Sequence, residues 1–167
     1  MARRVPDGDD RERSVCPDCG YVHYVNPKLV VGCVVEHEDR ILLCKRSIEP
    51  RQGMWTVPAG YLETGETVAE GATREVREEA CAEVELIAPY ILVNLTFVDE
   101  IYFMFRAHLR DGKFAAGHET LEARLFTEDE IPWDKIAFSA VEVTLRHYFR
   151  DRPTGEFVFH TGGVKTE

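Results

Sequence analysis

From Gly60 to Ala82 the chain reads GYLETGETVAEGATREVREEACA, and this stretch constrains the fold more than any other. Thr67 and Glu70 stand in T-x-x-E spacing, which places a helix N-cap at Thr67 and lets Glu70 reach back to it. Val68, Ala72, Val76 and Ala80 recur every four residues, so one stripe of the helix must be buried. Glu75, Glu78 and Glu79 fall at i, i+3 and i+4, in a sector roughly 100° wide beside that stripe. Like charges at this spacing repel by about 0.3 kcal/mol per pair. A hard divalent cation is the usual way to neutralise such a cluster.

A helix with one buried stripe needs a core to pack against. The 167 residues are 44% hydrophobic, which suits one domain and excludes a disordered chain. No run approaches the roughly 20 apolar residues of a membrane span, and the polar stretch Pro6 to Arg13 follows Met1 to Arg4 where a signal peptide would place its apolar region. No membrane partner is expected. The formal net charge of −10 argues against nucleic acid as a partner. An acidic site still takes an anionic substrate when metal ions bridge the two. The cysteines, Cys16, Cys19, Cys33, Cys44 and Cys81, are odd in number, and a reducing, cytoplasmic setting is expected.

Along the chain, Met1 to Ser14 reads as charged and weakly structured. CPDCG follows, a Cys-x2-Cys knuckle at Cys16 and Cys19. Structural zinc takes four ligands, and His23 offers only a third, so the reading adopted is a turn that holds no metal. Zinc completed by His23 with another chain or a water is the alternative, and a redox pair the third. Leu29 to Glu36 and Ile41 to Cys44 read as strands joined by a turn. Arg46, after the second strand, is a candidate phosphate ligand through its bidentate fork. Trp55 reads first as a core anchor and second as a base-stacking platform. The glycine of Val57-Pro58-Ala59-Gly60 lets its carbonyl approach a ligand. Beyond the helix, Glu83 to Ile87, Ile91 to Val98 and Ile101 to Leu109 read as three strands, the latter two turning at Asp99-Glu100. Glu119 to Phe126 reads as a strand, Thr127 to Ile131 as a helical turn, Ser139 to Arg150 as a helix capped by Ser139, and Glu156 to His160 as an extended piece.

Gly60, five residues, Glu66, seven residues and then Arg74-Glu75-Val76-Arg77-Glu78-Glu79 resemble the signature of the Nudix hydrolases. The pattern has glycine where this chain has Cys81; a left-handed cysteine there costs roughly 1 kcal/mol unless the helix ends differently. The knuckle with Tyr24-x-Asn26-Pro27-Lys28 and Val30-Val31-Gly32 is similar to Nudix enzymes with an N-terminal zinc ribbon, whose ribbon carries two knuckles against one here. The wording outside the signature resembles the ADP-ribose/FAD pyrophosphatases most. Thr96 and Phe97 stand where the ADP-ribose subclass usually has proline, and nothing after Ala82 matches the run typical of NADH pyrophosphatases.

This resemblance implies an α/β fold, an α/β/α sandwich with a mixed sheet: residues 1–27 as a segment with a partial ribbon, 28–160 as the hydrolase domain, 161–167 as a tail. It implies Glu75, Glu78, Glu79 and the Gly60 carbonyl as ligands of Mg²⁺ or Mn²⁺, and Glu66 with Arg74 as an ion pair orienting the helix. Glu78, Glu79 and Glu119 are the catalytic candidates; Glu119 is favoured over Glu122, which joins Arg46 and Trp55 as a substrate-binding candidate. The expected reaction is metal-dependent hydrolysis of the diphosphate in ADP-ribose or FAD, with a nucleotide as the partner and a homodimer compatible with it. The alternatives are an NADH pyrophosphatase, an mRNA-decapping enzyme and a non-catalytic nucleotide-binding regulator.

Overall fold

The computed structural model describes residues 1–165. Three short antiparallel strands come first: β1 (Ala2–Arg4), β2 (Arg13–Val15) and β3 (Val22–His23). The first fourteen residues are therefore more ordered than their composition predicts. Arg13 closes the polar loop by bonding Asp9 at 3.0 Å, and Val15 is buried. The knuckle is the β2–β3 hairpin: the Cys16 N–H donates to the Tyr21 carbonyl and the Gly20 N–H to the Cys16 carbonyl, with Gly20 at φ +74°.

The main sheet grows from β4 (Lys28–His37) and β5 (Arg40–Arg46). They pair only beside their turn, at Glu36 with Ile41 and His37 with Arg40, and then part. The Trp55–Tyr61 segment fills the opening, with β6 (Trp55–Thr56) on β5 and β7 (Ala59–Tyr61) on β4. Gly32 permits this, because a Cβ there would lie 2.4 Å from the Pro58 carbonyl oxygen. β8 (Val84–Leu95), β9 (Glu100–Leu109), β10 (Thr120–Phe126) and β11 (His160–Val164) complete the order β10-β5-β4-β9-β8-β11, with β4–β9 and β8–β11 parallel.

Helix α1 (Val68–Ala80) covers one face and α2 (Ser139–Asp151) the other. The strand pleat divides the core between them. Val31, Cys33 and Val35 of β4 pack with Ala72, Val76 and Ala80 of α1, whereas Val30 and Val34 pack with Val141 and Leu145 of α2. This is the expected α/β/α sandwich with a mixed sheet. No helix among the described residues is long and apolar enough to cross a membrane.

Four details differ from the sequence reading. Glu83–Ile87 and Ile91–Val98 are one strand, β8, because register shifts at Leu86/Ala88 and Pro89/Ile91 carry the ladder through Pro89, which has no N–H to give. Strand β8 ends at Leu95, so Thr96 to Asp99 form the turn, with Asp99 at φ 54°. Ser139 is the first residue of α2 rather than its cap; Phe138 takes the cap position with extended backbone and no side-chain hydrogen bond. The C-terminal strand starts at His160, so residues 161–164 belong to the sheet and are not a tail. Residues 166 and 167 of that expected tail lie outside the described residues.

Candidate functional site

Helix α1 is held at both ends by its own sequence. Thr67 and Glu70 form the capping box: the Thr67 hydroxyl accepts from the Glu70 N–H at 3.2 Å, and the Glu70 carboxylate accepts from the Thr67 N–H at 2.8 Å. At the C-terminal end Cys81 adopts the left-handed conformation, φ 47° and ψ 35°, despite carrying a side chain. The loop before β10 compensates for that cost. The Ala115 N–H bonds the Ala80 carbonyl and the Gly117 N–H bonds the Glu79 carbonyl, at 2.8 and 2.9 Å. Gly117 must be glycine for this approach, since a Cβ would lie 1.8 Å from the Glu78 carbonyl oxygen. The contact fixes the loop that delivers Glu119.

Arg74 is the hub of the exposed face of α1. Its Nε and one terminal nitrogen clamp Glu66 at 3.0 and 2.7 Å; the second terminal nitrogen reaches Glu75 at 2.6 Å and Glu78 at 3.0 Å; and the Tyr61 carbonyl accepts a further bond at 3.1 Å. The expected Glu66–Arg74 pair thus forms bidentately, and the guanidinium holds the Glu66 carboxyl down at about 2. Glu75 and Glu79 are buried. Burial raises the Glu75 pKa against the pull of Arg74. Burial first, and the neighbouring Glu75 charge second, push Glu79 up to about 8, although the Ala59 N–H donates to it at 3.2 Å. Gly60 faces the same pair: a Cβ there would lie 2.4 Å from a Glu75 carboxylate oxygen.

These groups open into a cavity of about 980 Å³. Gly60, Glu75, Glu78 and Glu79 line it from β7 and α1, and Glu119 and Arg46 from the adjoining loop and strand. Its remaining wall is largely apolar: Leu95, Phe97, Val98, Tyr102, Phe138 and Ile48. Arg46 donates to the Pro50 carbonyl at 2.8 Å and stacks 5.1 Å from the centre of the Phe138 ring, which leaves its terminal nitrogens for an anion.

Two substrate-binding candidates fall outside this wall. Trp55 is a core residue, 7% exposed and packed edge-on against Phe126 at 4.9 Å, because β6 turns it inward beneath β5. Glu122 is on the exposed side of β10, 4.0 Å from Lys45. A register shift between Thr120 and Glu122 separates its side chain from the cavity that Glu119 lines. Conversely, Phe138 and the β9 residues Glu100 and Tyr102 line the cavity, Gly117 packs on α1 behind it, and none carried a signal as a site residue; they come from three stretches that only the fold assembles.

No three His, Cys, Asp or Glu side chains among the described residues converge on one point, because Arg74 holds Glu75 and Glu78 while Glu79 turns to Ala59. The donors nevertheless suit a hard divalent ion. All are oxygens, Glu75 and Glu79 are buried with Arg74 paired to Glu75 but not to Glu79, and Glu78 is exposed at the cavity. At the knuckle, the backbone N–H groups of Cys19 and Asp18 lower the Cys16 pKa, which favours the thiolate, yet among the described residues no third ligand side chain closes on the pair. His23 is exposed on β3.

Comparison with known proteins places this geometry. The NUDIX domain profile matches residues 26–158, and a second profile, described as Nudix N-terminal, matches residues 1–25. An ADP-ribose pyrophosphatase of Methanocaldococcus jannaschii is 29% identical over 78% of each chain. The NAD-capped RNA hydrolase NudC of Vibrio vulnificus is 32% identical over 78% of this chain and 51% of its own, so the chain spans about half the length of that relative. The crystal structure of a NUDIX hydrolase from Nitrosomonas europaea superimposes with a TM-score of 0.95 at 45% identity, covering 99% of this chain and 94% of the other.

Proposed function

The chain belongs to the NUDIX domain family and is a Nudix pyrophosphohydrolase, and from that premise we propose that it hydrolyses the diphosphate linking a nucleoside to a second moiety, with ADP-ribose and FAD as first substrates. The observation that carries this is the two-ended cavity: carboxylates and the Gly60 backbone at one end, an apolar and aromatic wall at the other, and Arg46 beside both. The aromatic wall suits a planar base, and the carboxylate end suits a diphosphate brought in with its cations. The sequence similarity to an ADP-ribose pyrophosphatase supports this substrate.

Glu75, Glu78, Glu79 and the Gly60 carbonyl would hold divalent ions, Mg²⁺ or Mn²⁺, and those ions supply neutralisation of the diphosphate charge. The protein's own groups do the rest. Arg74, anchored by Glu66, bridges Glu75 and Glu78 and so orients them. Arg46 offers its fork to a phosphoryl group. Glu119, exposed on a loop that Gly117 pins to α1, accepts the proton of the attacking water as the new P–O bond forms and the bridging P–O bond breaks. The products are AMP and a phosphorylated second moiety.

Hydrolysis of NAD-capped RNA is the second reading, favoured by the NudC similarity and opposed by the net charge of −10. The test is an assay of ADP-ribose, FAD, NADH, CoA and capped RNA with Mg²⁺ and with Mn²⁺, each repeated in excess EDTA. Turnover of ADP-ribose or FAD that stops with EDTA is expected. Undiminished turnover in EDTA would exclude the metal site, and turnover of capped RNA alone would exclude the substrate.

A further inference from the structure

Three carboxylates in the cavity, Glu49, Glu63 and Glu100, belong to neither the signature helix nor the loop of Glu119, and Glu100 is the one on β9. Glu100 opens β9 and pairs in register with Leu95 across the hairpin, beside the turn that carries Phe97 and Val98. The Tyr61 hydroxyl donates to it at 2.5 Å. Tyr102, buried two residues along the same strand, lines the cavity beside it. Lys28, in register with Glu100 on β4, holds its ammonium 5.0 Å over the Tyr61 ring. Glu100 is thus an acceptor fixed by the Tyr61 phenol at the border of the apolar wall.

A carboxylate has about four lone-pair sites, and hydroxyl donors of a ligand can fill those the Tyr61 phenol leaves. In any nucleotide the ribose is the hydroxyl-bearing group next to the base. When the base lies on the Leu95, Phe97 and Phe138 wall, its ribose comes to the residue bordering that wall. Carboxylates in this relation to a ribose accept its 2′-hydroxyl and repel a phosphate placed there. We propose that Glu100 is a specificity-determining residue that binds the free ribose hydroxyls of the nucleoside and turns away nucleotides whose ribose carries a further phosphate. This rests on the nucleoside diphosphate reading above.

The experiment compares kcat/KM for ADP-ribose and 2′-phospho-ADP-ribose with Mg²⁺, in the native protein and in Glu100→Gln. The amide keeps an acceptor for Tyr61. The native protein is expected to prefer the unphosphorylated substrate by about tenfold or more. In the variant, activity on ADP-ribose falls, activity on the phosphorylated substrate rises, and the ratio drops below about threefold. A native ratio near one overturns the proposal. So does a variant that loses both activities equally, which is what a merely structural Glu100–Tyr61 bond would give. Calorimetry on the native protein with Mg²⁺ needs no variant: AMP should bind about tenfold more tightly than adenosine 2′,5′-bisphosphate, and equal affinity overturns the selectivity. Absence of turnover with both substrates would overturn the hydrolase reading instead, and the calorimetric comparison would still decide the role of Glu100.

Discussion

The two ends of the cavity are built in opposite ways. The carboxylate end is almost contiguous in sequence, with Gly60, Glu66, Arg74, Glu75, Glu78 and Glu79 on one strand, one turn and one helix. The apolar end is gathered from the β5–β6 loop, the β8–β9 turn, β9 and the entry to α2, through Ile48, Phe97, Tyr102 and Phe138. A contiguous end keeps its chemistry as long as one helix is capped and docked. An assembled end is free to vary in each segment separately, so the proposed function puts selectivity there and reactivity at the other.

Gly117 is the sharpest place to break that division, because it ties a distant loop to the contiguous end. Gly117→Ala forces a Cβ into the Glu78 carbonyl and must move the loop. Overpacking of this kind costs roughly 1–3 kcal/mol, and displacing Glu119 should lower kcat by about tenfold or more. Thermal melting and steady-state kinetics check both, and a variant with native kcat would separate Glu119 from the chemistry. Phe138→Leu probes the other end. It removes the ring on which Arg46 stacks, so KM for ADP-ribose should rise about fivefold with kcat nearly unchanged. An equal fall in kcat would mean that the apolar end shares in reactivity.

The smallest effect concerns Glu66, which accepts from the Glu63 N–H at 2.7 Å as well as from Arg74. Arg74 depresses the folded Glu66 pKa to about 2 from an ordinary 4.5. The folded state therefore binds fewer protons than the unfolded state between those values, so the contribution is present above pH 4.5 and lost as pH falls toward 2. The melting temperature of the native protein should exceed that of Glu66→Gln near neutral pH, and the gap should close on acidification. A gap independent of pH would deny the ion pair its part in fixing the helix.

The same contrast explains what was legible in the sequence. The capping box, the buried stripe and the glutamate spacing are local, and α1 formed as Thr67, Glu70 and Ala72 to Ala80 predict. The strand pairs around Cys33 and Leu43 were legible from continuous apolar runs, because both faces are covered. Trp55 reads first as a core anchor and is one, but the parting of β4 and β5 that admits β6 and turns it inward was not legible. Pro89 reads as a break and proves to be a bulged point in one long strand. Gly117 and Glu100 owe their positions to contacts across more than thirty residues of chain, with Glu78 and Tyr61 respectively. Cys81 was legible as an anomaly, and the loop bonds to Ala80 and Glu79 that make it tolerable were not.

The central claim is that the carboxylates of α1 form the reactive metal-binding end, and Glu79→Gln tests it most directly. The side chain is buried against Glu75, so an amide of the same shape removes charge without removing packing. The paired measurements are kcat with saturating Mg²⁺ and the melting temperature without metal. The account predicts that kcat falls at least about 100-fold while the metal-free melting temperature holds or rises slightly. A kcat within about threefold of the native value, with the fold intact, would contradict it, since loss of a ligand or base from a metal centre costs about 10² or more in rate.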